Sequence, residues 1–153
     1  MKKIVLMLTA MLLLSGYGYC QKIAADKVPA DVKTAFQKKF PTAAKVSYEM
    51  EKVDYEISFT LSGTECSAVF DKDGKWIETE TDVKDADLPA KVKATLDKDF
   101  AGYKRTESVK LELPWRTDIY EFEVSKDNSK FEVQIDLDGT VLSKDPISKE
   151  DKD

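Results

Sequence analysis

The chain is one unit written twice. Val28-Pro29-Ala30-Asp31-Val32-Lys33-Thr34-Ala35-Phe36-Gln37-Lys38-Lys39-Phe40 aligns with Leu88-Pro89-Ala90-Lys91-Val92-Lys93-Ala94-Thr95-Leu96-Asp97-Lys98-Asp99-Phe100 at an offset of 60 residues. Tyr55-Glu56-Ile57-Ser58-Phe59 aligns with Tyr120-Glu121-Phe122-Glu123-Val124 at an offset of 65. Phe70-Asp71-Lys72-Asp73-Gly74 aligns with Ile135-Asp136-Leu137-Asp138-Gly139 at the same 65. About five extra residues therefore stand between the helix and the second strand of the second copy. A repeat of this length dictates architecture: neither copy of roughly 60 residues has core enough to be stable alone, so the two are expected to share one fold.

Each copy opens with a helix. Pro29 and Pro89 suit a first helical position, where the missing N–H had no partner to lose. Val32, Ala35, Phe36 and Phe40 fall on one stripe, as do Val92, Leu96 and Phe100, with lysines opposite. Pro41 stops the first helix and Ala101-Gly102 the second.

The rest of each copy alternates with period two. Inward positions are expected at Val46/Tyr48/Met50, Tyr55/Ile57/Phe59/Leu61 and Cys66/Ala68/Phe70. In the second copy they are Val109/Leu111/Leu113, Tyr120/Phe122/Val124 and Phe131/Val133/Ile135/Leu137. Lys110/Glu112, Glu121/Glu123 and Glu132/Gln134/Asp136 are expected outward. A short fourth strand follows each Asp-Gly turn, at Trp76-Ile77 and Val141-Leu142, with Ile77 inward and Trp76 half-exposed on the open face. Ser62-Gly63, Asp73-Gly74 and Asp138-Gly139 are hairpin dipeptides, and Asp127-Asn128 stands where Ser62-Gly63 stood. The expectation is an α+β fold: two α-β-β-β-β repeats form one curved antiparallel sheet of about eight strands, with both helices on one face and the other face wet.

The N-terminus reads as an export signal. Met1-Lys2-Lys3 is basic, Ile4 to Leu14 is an eleven-residue apolar run, and Ser15 to Cys20 is rich in small residues. The run is shorter than the roughly 20 residues of a membrane span, so no stable span is expected after cleavage. Cleavage is expected after Cys20, with Gly18 and Cys20 as the small residues of the site. A lipidated Cys20 is the rival reading, though Tyr19 is large for the position before a lipidated cysteine. The organisation is thus signal peptide 1–20, first repeat 21–82, second repeat 83–147 and charged tail 148–153.

Composition narrows the chemistry. The 153 residues contain no His, which removes imidazole-based nucleophilic sites, His general bases and most catalytic zinc sites. The formal charge of −5 becomes −7 without Lys2 and Lys3 and argues against a nucleic-acid partner. Without Cys20 only Cys66 remains, so no internal disulfide is available, and Cys66 reads as a small buried hydrophobe.

The pattern resembles a known family. The markers are Val28-Pro29, Phe36, Lys39-Phe40-Pro41, Asp73-Gly74, Leu88-Pro89, Phe100 and Asp138-Gly139, and they look like those of the PepSY-like family over about residues 28–145. That family is related in fold to the secreted β-lactamase inhibitory protein. The resemblance implies a periplasmic or secreted binding module, with enzyme inhibition suggested by the name.

No constellation of residues reads as catalytic, and neither a cofactor nor a metal site is expected. The Asp71-Lys72-Asp73-Gly74 and Asp136-Leu137-Asp138-Gly139 segments have the spacing of a turn rather than of a six-oxygen calcium loop. The acidic run Glu78, Glu80, Asp82, Asp85 and the pair Glu121/Glu123 read as a solvated sheet face. Leu113-Pro114-Trp115-Arg116-Thr117-Asp118 lies in the insertion of the second copy and reads as a loop longer than Glu51-Lys52-Val53-Asp54. Trp115 and Arg116 are residue types of binding hot spots; the other reading folds the Trp115 ring back over the sheet edge. The candidate partner-binding residues are Trp76, Trp115 and Arg116. The functional expectation is an exported, non-enzymatic binding module that meets an unidentified protein through its open sheet face. The alternative is a carrier of a small ligand, or an envelope-stress carrier, with a sheet cavity.

Overall fold

The computed structural model describes residues 21–147. Residues 1–20, with Cys20 and its cleavage or lipidation, and the tail 148–153 lie outside the described residues. In chain order come β1 (Gln21–Lys22), α1 (Ala30–Lys39), β2 (Ala44–Glu51), β3 (Asp54–Leu61), β4 (Thr64–Phe70) and β5 (Trp76–Asp82). A 3₁₀ turn at Asp85–Asp87 leads to α2 (Ala90–Asp99), β6 (Lys104–Leu113), β7 (Arg116–Lys126), β8 (Ser129–Asp136) and β9 (Val141–Pro146). The nine strands form one antiparallel sheet in sequence order. Each helix with its following meander is as expected, and the ninth strand is β1, whose two residues are too few for a period-two pattern to reveal.

Each helix begins one residue later than expected. Pro29 and Pro89 are extended, with ψ of 145° and 143°, and stand just before the first helical residue. Their carbonyls accept the first helical N–H, from Lys33 at 3.2 Å and from Lys93 at 2.9 Å. Proline suits this place because it has a carbonyl to offer and no N–H that would go unpaired.

The helix-side core has two centres. Under α1, Val28, Val32 and Phe36 meet Ile57, Phe59, Cys66, Ala68 and Phe70. The Phe36 and Phe59 rings meet edge-on with centroids 5.1 Å apart. Under α2, Leu88, Val92, Leu96 and Phe100 meet Tyr120, Phe122, Val124, Val133 and Ile135. Cys66 is buried as expected, and burial pushes its thiol pKa up.

The Asp-Gly turns lock each meander to its helix. Asp71 Oδ1 accepts the N–H of Asp73 and of Lys75, both at 2.9 Å. Asp136 Oδ1 does the same for Asp138 at 3.0 Å and Thr140 at 2.9 Å. These carboxylates therefore hold their own turn. Gly74 and Gly139 have φ of +78° and +82°. A Cβ on Gly74 would lie 2.7 Å from the Asp31 carbonyl, and one on Gly139 2.9 Å from that of Lys91. Thr95 Oγ1 donates to the Gly139 carbonyl at 2.7 Å. The turn thus requires glycine twice over, for its backbone conformation and for its closeness to the helix.

Three strand-phase expectations are corrected. Val109 and Leu111 do not face the helices: Leu111 faces Glu80 and Ile119, and Val109 faces Asp82 and Glu121, all on the far side of the sheet. On the helix side β6 presents Ser108, Lys110 and Glu112 instead, and Leu113 lies beyond a register shift. Neither core centre draws a residue from β6. This strand lies at the junction of the two copies, between the helices' two cores, so its apolar residues are buried on the other face. Leu137 is exposed, because it has already entered the Asp136–Gly139 turn. Ile77 is not the inward residue of β5. Phe70 faces Trp76 and Val69 faces Glu78, so Ile77 is the extra residue of a bulge, and Trp76 falls on the helix side.

A candidate binding face on the sheet

The face of the sheet away from the helices is built by alternation. Residues opposite one another on paired strands share a face. With Phe122, Val133 and Ile135 turned to α2, the residues between them turn away. One transverse row runs Glu107, Glu123, Glu132, Asp145 across β6, β7, β8 and β9. The next runs Asp82, Val109, Glu121, Gln134, Ser143, and beside it lie Ser67, Glu80, Leu111, Ile119, Asp136. In the first copy Glu49 faces Glu56, which faces Val69, which faces Glu78.

This face is not simply solvated, as expected for its acidic run. Leu111, Ile119 and Val109 are only 2%, 3% and 4% exposed, and Glu78 and Glu121 are buried beside them. An apolar floor therefore lies among glutamates, and the floor removes water from the carboxyls. Burial, then repulsion from Glu121, Glu78, Glu107 and Glu56, pushes the Glu80 pKa up to about 8. Burial and Glu121, Asp145, Glu78 and Glu107 push Glu132 up to about 7. Burial also raises Glu121, against the opposing effect of Gln134, whose Nε2 donates to Glu121 Oε2 at 2.8 Å. Glu107 is raised by burial, Glu123 and Asp82, with Lys130 opposing. Counter-charge is local: Lys130 pairs with Glu123, inside the first row.

The three candidate residues fall in different settings. Trp76 is half-buried as expected, but it packs against the core under α1 and not on the open face. Lys39 Nζ lies 3.5 Å from its ring centroid, and its Nε1 donates to Thr79 Oγ1 at 2.9 Å. The bulge at Ile77 reverses its side. Trp115 and Arg116 are neighbours on the β6–β7 hairpin, but no long loop carries them. Leu113 faces Arg116, so the turn is Pro114-Trp115 alone, as Lys52-Val53 is the turn between β2 and β3. The insertion lengthens the strands, not the loop. Trp115 is 76% exposed at that tip, which excludes the folded-back ring, and Val53 at the matching tip is 74% exposed. Arg116 clamps the hairpin stem: Nε donates to Asp118 at 2.6 Å and Nη2 to Asp136 at 3.1 Å. The Arg116 hydrogen bond holds Asp118 below the usual carboxylate range. Asp136 is held below it first by the Thr140 N–H and then by the Asp138 N–H and Arg116.

A groove of about 1260 Å³ adjoins this face at Asp82 and Glu107 and lies between the β3–β4 hairpin, the segment after β5 and the C-terminal end of α2. Glu65, Asp85, Asp97, Arg105, Phe100 and Tyr103 are among its walls. Among the described residues there is no group of three or more side chains suited to hold a metal, and no helix is long and apolar enough to cross a membrane.

Sequence reasoning placed Glu80, Glu121 and Glu123 on one face but read that face as solvated, and it missed the floor of Val109, Leu111 and Ile119. A signal existed. Ile119 stands outside the Tyr120/Phe122/Val124 stripe, and an apolar residue off the inward stripe asks for a second buried surface.

Comparison with known proteins agrees with the architecture. A family model described as "Putative beta-lactamase-inhibitor-like, PepSY-like" matches residues 19–67 and 61–143. No curated protein matches. A crystal structure from Bacteroides eggerthii, described as one of "putative periplasmic proteins", is 25% identical with a TM-score of 0.71, covering 78% of this chain and 89% of that one. A "BLIP-like protein" from Bacteroides fragilis is 22% identical with a TM-score of 0.72, covering 79% of this chain and 88% of that one, and it shares the fold.

Proposed function

The chain belongs to this PepSY-like family, and from that premise we propose that it is an exported, non-enzymatic binding module whose open sheet face meets a basic surface of a protein partner. The observation that carries the reading is the set of like-charged residues held directly opposite one another. Glu107, Glu123, Glu132 and Asp145 succeed one another across four strands, next to a buried apolar floor. Like charges directly opposite destabilise a sheet, so such a row, offset only in part by Lys130 at Glu123, opposes folding and favours whatever neutralises the rest. A lysine- or arginine-rich surface does that and orients its own docking by electrostatic complementarity. Trp115, at the hairpin tip, adds an exposed aromatic of the type that anchors interfaces. The mode is inhibitor-like in that it occupies a partner's surface and performs no chemistry. A solved relative described as one of "putative periplasmic proteins" and the basic–apolar–small order of residues 1–20 together support export to the periplasm.

The test is capture of partners from a periplasmic fraction by the exported chain, by a Glu123→Lys/Glu132→Lys variant and by Trp115→Ala. The reading expects one protein set that the native chain holds and the charge-reversed variant loses, with salt weakening the capture. Identical capture by native and charge-reversed chains would sink it. The groove beside α2 favours a second reading, a small-ligand carrier. A small molecule retained in native mass spectrometry, and lost on Phe100→Ala but not on Glu132→Lys, would establish that reading instead.

A further inference from the structure

The junction between the two copies is repeated at the start of the chain. At the junction Thr81 and Asp82 of β5 face Lys110 and Val109 of β6. Gln21 and Lys22 of β1 face Met50 and Glu49 of β2, every residue 60 positions earlier. The next N–H repeats too: Val83 donates to the Ser108 carbonyl and Ile23 to the Tyr48 carbonyl, both at 3.0 Å. Val83 leans on the core under α2 as Ile23 leans on the core under α1. Three residues at 21–23 thus fill the place that a preceding copy's last strand would take.

The other end of the sheet is the complement. β9 pairs with β8 as β5 pairs with β4, 65 residues on: Asp145 and Pro146 face Glu132 and Phe131, as Glu80 and Thr81 face Ser67 and Cys66. The outer edge of β5 carries β6, and β9 is the edge strand of the sheet. At the place of Thr81 stands Pro146. The N–H of Ile147 points inward, to the Lys130 carbonyl at 2.9 Å. Backbone N–H groups alternate sides along a strand, so the N–H at position 146 would point outward, and proline has none.

We propose that the chain contains a latent head-to-tail interface for a second copy of itself, β9 of one molecule against β2 of the next, and that β1 and Pro146 are the caps that keep it shut. The internal junction is the template, so the register and the backbone pairing are already built. Such a contact is heterologous and would extend the sheet from copy to copy instead of closing. Repeat folds need terminal caps for this reason, and edge proline is one of the means by which sheets avoid edge-to-edge growth. β1 shields β2 by occupying it, and Pro146 removes the donor that would bind the Met50 carbonyl of the next copy.

The experiment uses the exported chain with Ile23→Pro, with Pro146→Thr and with both. Ile23→Pro removes the bond to Tyr48 and the apolar anchor, and Pro146→Thr restores the donor in the form that Thr81 has. Sedimentation velocity over a concentration series reads the mass. The native chain is expected to keep one mass at all concentrations, and the double variant to reach at least twice that mass as concentration rises. In the double variant, Ile147→Cys with Glu49→Cys should then form a disulfide between molecules, because these positions correspond to Asp82 and Val109. A folded double variant that keeps the native mass throughout overturns the proposal, as does a native chain that already assembles through β2 and β9. Should Ile23→Pro impair folding, replacing residues 21–23 by Gly-Ser-Gly removes β1 without a proline and gives the same readout.

Discussion

Glu80 provides the sharpest test of the acidic face. Its carboxyl is raised from 4.5 to about 8 by burial and by four neighbouring glutamates. Between those values the folded chain holds a proton that the unfolded chain has released. Folding stability is therefore complete below about pH 4.5 and falls as pH rises towards 8. If Glu80 titrated alone, the fall would be about 5 kcal/mol, at 1.36 kcal/mol for each tenfold in proton affinity. It does not titrate alone: Glu132 and Glu121 feel the same repulsion, and the set shares its protons. We therefore expect Glu80→Gln to recover about 2 kcal/mol at alkaline pH, out of a typical total of about 5–15 kcal/mol. In acid, where both side chains are neutral, the variant should match the native chain. Urea unfolding of both proteins at several pH values, with the slope in denaturant checked for constancy, makes the measurement. Parallel curves of stability against pH for native and Glu80→Gln would refute the claim that this face stores carboxylate repulsion.

Other expectations follow from the geometry. Gly139→Ala puts a Cβ 2.9 Å from a backbone carbonyl at a φ of +82° and should cost about 2 kcal/mol or more, read as a lowered Tm. Phe122→Ala empties the centre of the core under α2, where the ring is wholly buried, and should cost about 3–5 kcal/mol in urea unfolding. Trp115→Ala should change stability by less than about 0.5 kcal/mol, since the ring is exposed, while removing the captured partner; a large stability loss would mean the ring is structural. Cys66 should resist a thiol reagent in the folded chain and react once unfolded, because its thiol is buried with its pKa raised.

How much of this was legible before the structure varies by element. The helix-side stripes of β3, β4, β7 and β8 were readable, because each lies under a helix and carries one unbroken apolar stripe, whereas the far side of β7, with Ile119 and Glu121 buried, was not. The Asp-Gly turns were readable because Asp and Gly are there for local reasons, a side-chain acceptor and a positive φ. β6 misled, because alternation says that a strand has two faces and not which face looks at a helix. Trp76 misled for a different reason: one extra residue, Ile77, reverses every side chain before it. The β6–β7 insertion was seen as length, but its conversion to strand depends on partners in β5 and β8 that lie far along the chain.

The sequence by itself determined the duplication, the two amphipathic helices, the period-two strands, the turns and the absence of imidazole chemistry. The duplication is a match of sequence with itself, and the others depend on residues within a few positions of one another or on composition. Tertiary structure alone decided what lies across from what. Val109, Leu111 and Ile119 become a floor, and Glu80 keeps its proton, only because strands from both copies meet in one sheet. Proton affinity and burial are properties of neighbours in space, and the neighbours of Glu80 come from β3, β5, β6 and β7.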